Sequence, residues 1–357
     1  MTLVNKRFLL SLVLFLLVSS LAACTTPQSE ARAENGNATP TMGTFHEYPL
    51  PQAASGIMRP AIDHEGRLWF GEMGHNALGS FDPQTGTFQQ FTPPHGASGI
   101  MGIAVAPDDS LWFAEQYANY IGHFIPATQR YRIYQLPLLT LPGTHPAQAI
   151  PSAPNDIALD AQGRVWFAEM NADAIGMLDP HSGAIKHYPI TTRRTIQTYN
   201  PYGITVNAQG IIWFTTSSKP DLGRLDPHTG KIQLFTLPNT AITLMEITSD
   251  THDPLWATAF NASLVLEFDP TTKAFTSYAA PADGSSGLYG ITVTPSGTVW
   301  VAITPANAVA RLDPTTRHFT TYTIPTDSST PFGILVDKVQ TVWFSESSGN
   351  KIGELQF

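Results

Sequence analysis

The apolar residues of this chain gather in short strand-like runs that recur with a fixed period. The centre of each run is a tryptophan phrase. Val165-Trp166-Phe167-Ala168-Glu169 has copies such as Leu68-Trp69-Phe70-Gly71-Glu72 and Val342-Trp343-Phe344-Ser345-Glu346. The seven tryptophans, Trp69, Trp112, Trp166, Trp213, Trp256, Trp300 and Trp343, stand 43, 54, 47, 43, 44 and 43 residues apart. A period in the forties built of short strands is the signature of a β-propeller, and no Trp lies outside the repeat. The pattern therefore predicts an all-β fold of seven four-stranded blades.

Within one repeat the polarity changes from strand to strand. In blade 4, Tyr202 to Val206 is apolar, as an inner strand covered on both faces must be. Ile211 to Thr215 and Leu222 to Leu225 follow, and Lys231 to Leu237 alternates polar and apolar residues as an outer strand does. Asp226-Pro227-His228-Thr229-Gly230 is a hairpin turn: Pro presets φ and Gly tolerates a positive φ. Its first two residues recur at Asp82, Asp179, Asp269 and Asp313. The last repeat lacks an outer strand. Thr44-Phe45-His46-Glu47-Tyr48-Pro49-Leu50 reads as a spare one, like Ile185 to Ile190, and is expected to complete blade 7 and close the ring without exposed edges.

Composition adds the compartment. Lys6 and Arg7 precede an apolar run from Phe8 to Val18, too short to span a bilayer comfortably, and Leu21-Ala22-Ala23-Cys24 follows. That phrase resembles the bacterial lipobox, which implies cleavage before Cys24 and a lipid on its thiol. Residues 1–23 are thus expected to be a leader, 24–43 a tether poor in apolar residues and 44–357 the propeller. Cys24 is the sole cysteine, so the fold contains no disulfide. The expected location is outside the cytoplasm of a bacterial envelope, with membrane contact through the lipid alone. The formal charge of -9 becomes about -11 once Lys6 and Arg7 leave with the leader, and no basic stripe offers a nucleic-acid footprint.

In a repeat protein, what all blades share is scaffold and what single blades change is where function can lie. With each Trp indexed as zero, position -11, ahead of the inner strand, is Met58, Met101, Asn155, Tyr202, Met245, Tyr289 and Phe332. Position -10 is glycine in blades 2, 4, 6 and 7 but Arg59, Asp156 and Glu246 in blades 1, 3 and 5. Three charges at the channel mouth need partners. They either plug the channel by neutralising one another or form a ligand or metal site. Asn155, Asp156 and Glu246 are oxygen donors suited to Ca²⁺ or Mg²⁺. Position +3 is Glu72, Glu115, Glu169 and Glu346 in four adjacent blades, each followed by Asn or Asp at +7 and Gly at +10. These form a shared turn or an acidic crescent facing a cation. Two long loops, 137–153 with His145 and 191–200 with Arg193, Arg194 and Tyr199, are candidate lids on the same face. No nucleophile elbow, phosphate loop, HExxH or cysteine pair is present.

The phrases Pro201-Tyr202-Gly203-Ile204-Thr205, Trp343-Phe344-Ser345-Glu346, Asn350-Lys351-Ile352-Gly353 and Tyr48-Pro49-Leu50-Pro51 resemble the virginiamycin B (streptogramin) lyase family, over residues 44 to 357. The resemblance implies a seven-bladed propeller that opens a lactone by elimination with Mg²⁺, active-site histidines and Glu. The positions matching the two histidines are Tyr289 and Phe332, and Thr330 matches a metal-binding Glu. Glu346 stands near the other. Pro154-Asn155-Asp156-Ile157 also resembles a phrase of the gluconolactonase-like propellers, which implies a divalent metal in the channel.

Three functions stay open on these residues. The first is an extracytoplasmic, monomeric propeller that binds a small-molecule ligand without the family's elimination. The second is an active metal-dependent lyase or lactonase using another base, Tyr289 or Tyr202, with Glu346 as a catalytic carboxylate. The third is a scaffold for an envelope protein partner.

Overall fold

The computed structural model describes residues 43–96, 99–140, 149–191, 198–239, 241–249, 254–282 and 286–357. Their strands make seven four-stranded antiparallel blades in chain order, a seven-bladed β-propeller. The predicted closure forms. Thr44–Pro49 is the outer strand of blade 7 and pairs with Lys351–Gln356, Thr44 opposite Gln356 and Pro49 opposite Lys351. Blade 4 consists of Pro201–Val206, Ile212–Thr216, Asp221–Leu225 and Ile232–Thr236, close to the boundaries that its polarity predicts. Each hairpin turn is held by its aspartate: Asp226 Oδ1 accepts from the His228 amide at 2.9 Å, and Gly230 takes φ +70°.

The core lies between blades. All seven tryptophans are at most 4 % exposed. Trp213 of blade 4 packs with Ile247, Leu255 and Phe268 of blade 5, and Trp166 of blade 3 packs with Ile204, Ile212 and Phe214 of blade 4. The glycine at +10 has a packing cause. Phe214, the residue after Trp213, lays its ring on Gly223, and a Cβ there would meet Phe214 Cζ at 2.0 Å. Phe and Gly pair in the same way at Phe70 and Gly79, Phe113 and Gly122, Phe167 and Gly176, and Phe344 and Gly353. Where the first position shrinks to Ala257 or Val301, the second grows to Leu266 or Ala310. The two positions share one fixed volume, as dense packing requires.

Asn or Asp at +7 is also scaffold. Asn119 takes a left-handed φ of 63°; its Oδ1 accepts from the Ser152 amide at 2.8 Å and its Nδ2 donates to Leu136 O at 3.0 Å. Asp173 and Asn350 staple the following connectors likewise, at Thr198 to Asn200 and at Gln52 to Ser55. The loop before blade 3 contains a short ribbon, Leu139–Thr140 paired with Ala149–Ile150, where the sequence predicts only an irregular insertion. Cys24, the leader, the tether up to residue 42, His145, Arg193 and Arg194 lie outside the described residues. No helix among the described residues is long and apolar enough to cross a membrane.

Candidate functional site at the channel mouth

A repeated backbone irregularity builds the mouth. In blades 2 to 7 the inner strand loses register just before its isoleucine, as between Pro154 and Ile157 or between Leu244 and Ile247. In blade 1, Ile57 bridges Glu72 and pairing resumes at Ala61 opposite Trp69. Residues -11 and -10 fall inside this bulge, which re-aims their side chains away from the ladder.

Those side chains meet across the ring. Arg59 Nε of blade 1 donates to Glu246 Oε2 of blade 5 at 2.8 Å, and its Nη2 donates to the other carboxylate oxygen. Blades 1 and 5 are not neighbours, so this contact crosses the central axis. Arg59 Nη1 lies 3.9 Å from Asp156 Oδ1 of blade 3. The guanidinium carbon sits 5.3 Å from the Tyr202 ring centre and 6.0 Å from that of Phe332, in range for cation–π attraction. Blades 1, 3, 4, 5 and 7 therefore share one buried cluster. Tyr289 continues it, with its ring centre 4.5 Å from Phe332 and 5.1 Å from Phe260.

Burial pushes the Glu246 carboxyl up, against the pull of Arg59, and nearby Asp156 adds to the rise. Burial also raises the Tyr289 and Tyr202 phenols, and the adjacent carboxylates raise them further. A proton-abstracting base needs the opposite shift. The phenol bases that the sequence offers are thus held protonated.

The proposed metal donors have other partners. Both Glu246 oxygens accept from Arg59. Asp156 Oδ2 accepts the Ile204 amide at 3.0 Å. Asn155 Nδ2 donates to Tyr202 O at 3.1 Å, and its Oδ1 accepts from Gln116 Nε2 at 3.2 Å. With both Glu246 oxygens, one Asp156 oxygen and the Asn155 amide already engaged, this donor set does not fit Mg²⁺ or Ca²⁺. Thr330, where the resemblance places a metal-binding Glu, is a hydroxyl that donates to Ser348 Oγ at 2.8 Å.

Hydroxyls at +2, unnoticed in the sequence, hold the bulges. Thr258 Oγ1 accepts the Glu246 amide at 3.1 Å and donates to Tyr289 O of the next blade at 2.8 Å. Thr215 does the same for Gly203 and Met245 O, and Ser345 accepts the Gly333 amide at 2.8 Å. In blade 3, where +2 is Ala168, Asn155 makes the equivalent link to Tyr202 O. The available signal was a change at +2 from Gly or Ala to Thr or Ser in single blades.

The four glutamates at +3 are buried separately, each inside its own blade. Glu72 accepts from Gln90 Nε2 at 3.0 Å, with His75 Nδ1 3.1 Å away. Glu169 pairs with His187 Nδ1 at 2.6 Å, which raises that imidazole's pKa. Gln90 and His187 lie on outer strands, opposite the +10 glycines. The Glu115 carboxyl forms no hydrogen bond among the described residues, and burial pushes it up to about 7. Burial and then the Glu47 carboxylate push Glu346 up to about 8. Glu72 is 4 % exposed and the other three are 0 % exposed, so they present no common acidic surface.

The comparisons agree with this architecture. The profile of the virginiamycin B lyase family matches residues 29–303 and 127–357. Virginiamycin B lyase from Staphylococcus aureus superposes with a TM-score of 0.78 at 25% identity, over 88% of this chain and 100% of that one. A catalytically inactive His-to-Ala variant of that enzyme, crystallised with quinupristin, has the same values. The extracellular domain of a B. thetaiotaomicron protein described as a hybrid two-component system shares the fold, with a TM-score of 0.67 at 16% identity, over 88% of this chain and 40% of that one. No curated protein sequence matches closely enough to count as a relative. With its profile match reaching over the propeller from end to end, this chain belongs to the virginiamycin B lyase family.

Proposed function

We propose that this protein is an extracytoplasmic propeller of lyase descent that binds a small-molecule ligand at its channel mouth without the family's elimination chemistry. One observation carries the reading. The positions at which the resemblance places the family's two functional histidines are Tyr289 and Phe332, two rings 4.5 Å apart that pack as one aromatic wall. Phe332 has no atom that takes a proton, and Tyr289 is shifted away from one that gives it up. The S. aureus enzyme loses activity when a single histidine becomes alanine. Here every blade lacks histidine at -11. Attachment at Cys24 would tether the site to the outer side of the membrane. A Cys24→Ala variant is expected to lose palmitate labelling in cells, and full labelling of that variant would remove the anchor from the proposal.

The test is incubation of the leader-free protein with quinupristin and Mg²⁺, followed by chromatography with mass detection and by calorimetry. Saturable binding with no chemical change is expected. A new peak of unchanged mass would establish elimination and overturn the reading. A product heavier by one water would show hydrolysis and overturn it as well.

A further inference from the structure

The mouth holds more negative than positive charge in an aromatic setting. Glu246 and Asp156 face a single guanidinium, Arg59. Glu246 spends both oxygens on it. Among the described residues Asp156 Oδ1 accepts no hydrogen bond, and Arg59 Nη1 is 3.9 Å away, too far for one. Gly102 of blade 2 lies against that oxygen, and a Cβ there would stand 2.9 Å from it. The Tyr202 phenol, in a residue only 8 % exposed, has no hydrogen bond among the described residues, and its charge environment is Arg59, Glu246, Tyr289 and Asp156. It therefore points into this cluster. Around these groups stand the rings of Tyr202, Phe332, Tyr289 and Phe260. Arg59 shows what this cage accepts: a planar cation already lies over two of its rings.

We infer that the ligand of this mouth is an organic ammonium, whose N–H donates to Asp156 Oδ1 and whose carbon skeleton lies against the wall of Tyr289, Phe332 and Phe260. This deepens the ligand-binding reading and rests on it. An anionic ligand would meet two carboxylates before reaching a guanidinium that gives its Nε and Nη2 to Glu246 and keeps its Nη1 buried. A neutral apolar ligand would leave the Asp156 oxygen and the Tyr202 hydroxyl without partners, which a buried site penalises. An ammonium satisfies the free acceptor and balances the excess charge. It also uses ring faces, which attract cations through their quadrupoles.

The test compares benzylammonium with benzyl alcohol by titration calorimetry at low ionic strength. The two probes share one ring and differ in charge. Benzylammonium is expected to bind at least about tenfold more tightly, because a charge-assisted hydrogen bond and cation–π contact act only on it. Asp156→Asn keeps an oxygen for the Ile204 amide and removes the charge. It should abolish most of the difference between the two probes. Tyr289→Leu should weaken both probes. Equal affinity of the two probes in the parent overturns the inference, as does a preference that survives Asp156→Asn. Failure of both probes while quinupristin still binds unchanged overturns the ammonium class alone. Ring opening of quinupristin overturns the binding-only reading whatever the probes do.

Discussion

At the scale of residues, two buried groups have opposite fates. Arg59 is an ion paired twice in the interior, so its removal leaves Glu246 and Asp156 facing each other without a counter-charge. Breaking a buried pair from one side costs about 3–5 kcal/mol, whereas replacing both partners costs far less. Arg59→Met is therefore expected to lower the calorimetric melting temperature sharply, and Arg59→Met with Glu246→Gln should recover much of the loss. A single variant as stable as the parent would remove the ionic plug from the account. Glu115 is buried without a partner, and its carboxyl is raised to about 7. Because its folded value lies above the ordinary carboxylate value, its stabilising contribution is complete at low pH. That contribution declines as pH rises from the ordinary carboxylate range and is gone above about 7. Glu115→Gln should match the parent near the ordinary carboxylate pKa and exceed it by about 2 kcal/mol in mildly alkaline buffer. Denaturant melts at both pH values check the sign; a constant difference between them would contradict the burial of an ionisable carboxyl.

At the scale of elements, the Phe and Gly pairs and the closing strand set the limits. Gly223 faces the Phe214 ring at a separation that no Cβ tolerates. Gly223→Ala is expected to cost about 1–3 kcal/mol, as overpacking does. Shrinking the ring in a Phe214→Leu, Gly223→Ala double variant should return part of that, which a two-variant melting cycle measures. The closing strand is bound by more than its ladder. Tyr48 donates to Glu354 Oε2 at 2.7 Å, Lys351 Nζ reaches Glu47 Oε2 at 3.3 Å, and the Thr326 amide donates to Glu47 Oε1 at 3.1 Å. Inside this latch, Glu346 is raised to about 8 with Glu47 beside it. The latch is therefore most stable with Glu346 protonated, and the protection of the Thr44 to Pro49 amides, measured relative to the intrinsic base-catalysed exchange rate, should fall above about pH 8 in the parent but not in Glu346→Gln.

At the scale of the whole molecule, blade 7 joins the two ends of the propeller, and away from the central cluster the blades pack on their neighbours. Deleting residues 44–50 opens the ring, leaves Lys351–Gln356 as an unpaired edge and uncovers Leu335 and Trp343, which pack with Tyr48. The expected result is a broad melt at lower temperature with self-association in light scattering. A sharp melt at the parent's temperature would mean that closure contributes nothing. The central cluster adds a second long-range tie, because Arg59 and Glu246 belong to blades on opposite sides of the axis.

The sequence by itself determined the blade number, the strand order, the closing strand and the identity of the core. These follow from periodic patterns that the local physics of strands and turns imposes on every repeat. Blade 4 shows the limit of that reading, a matter of a residue at the strand ends, where ladders fray. The sequence also marked Arg59, Asp156 and Glu246 as exceptions, since charges replaced glycine in an otherwise regular position. Only the tertiary structure decided what they do. Whether Arg59 reaches a carboxylate across the axis, and whether four glutamates share a surface, depends on curvature and on the bulge that turns side chains toward the axis. Those are properties of the closed ring, and no single repeat encodes them. The same holds for Asn155, whose amide spans to the next blade, and for Glu47 and Glu346, which lie far apart in the chain and meet only because the ring closes.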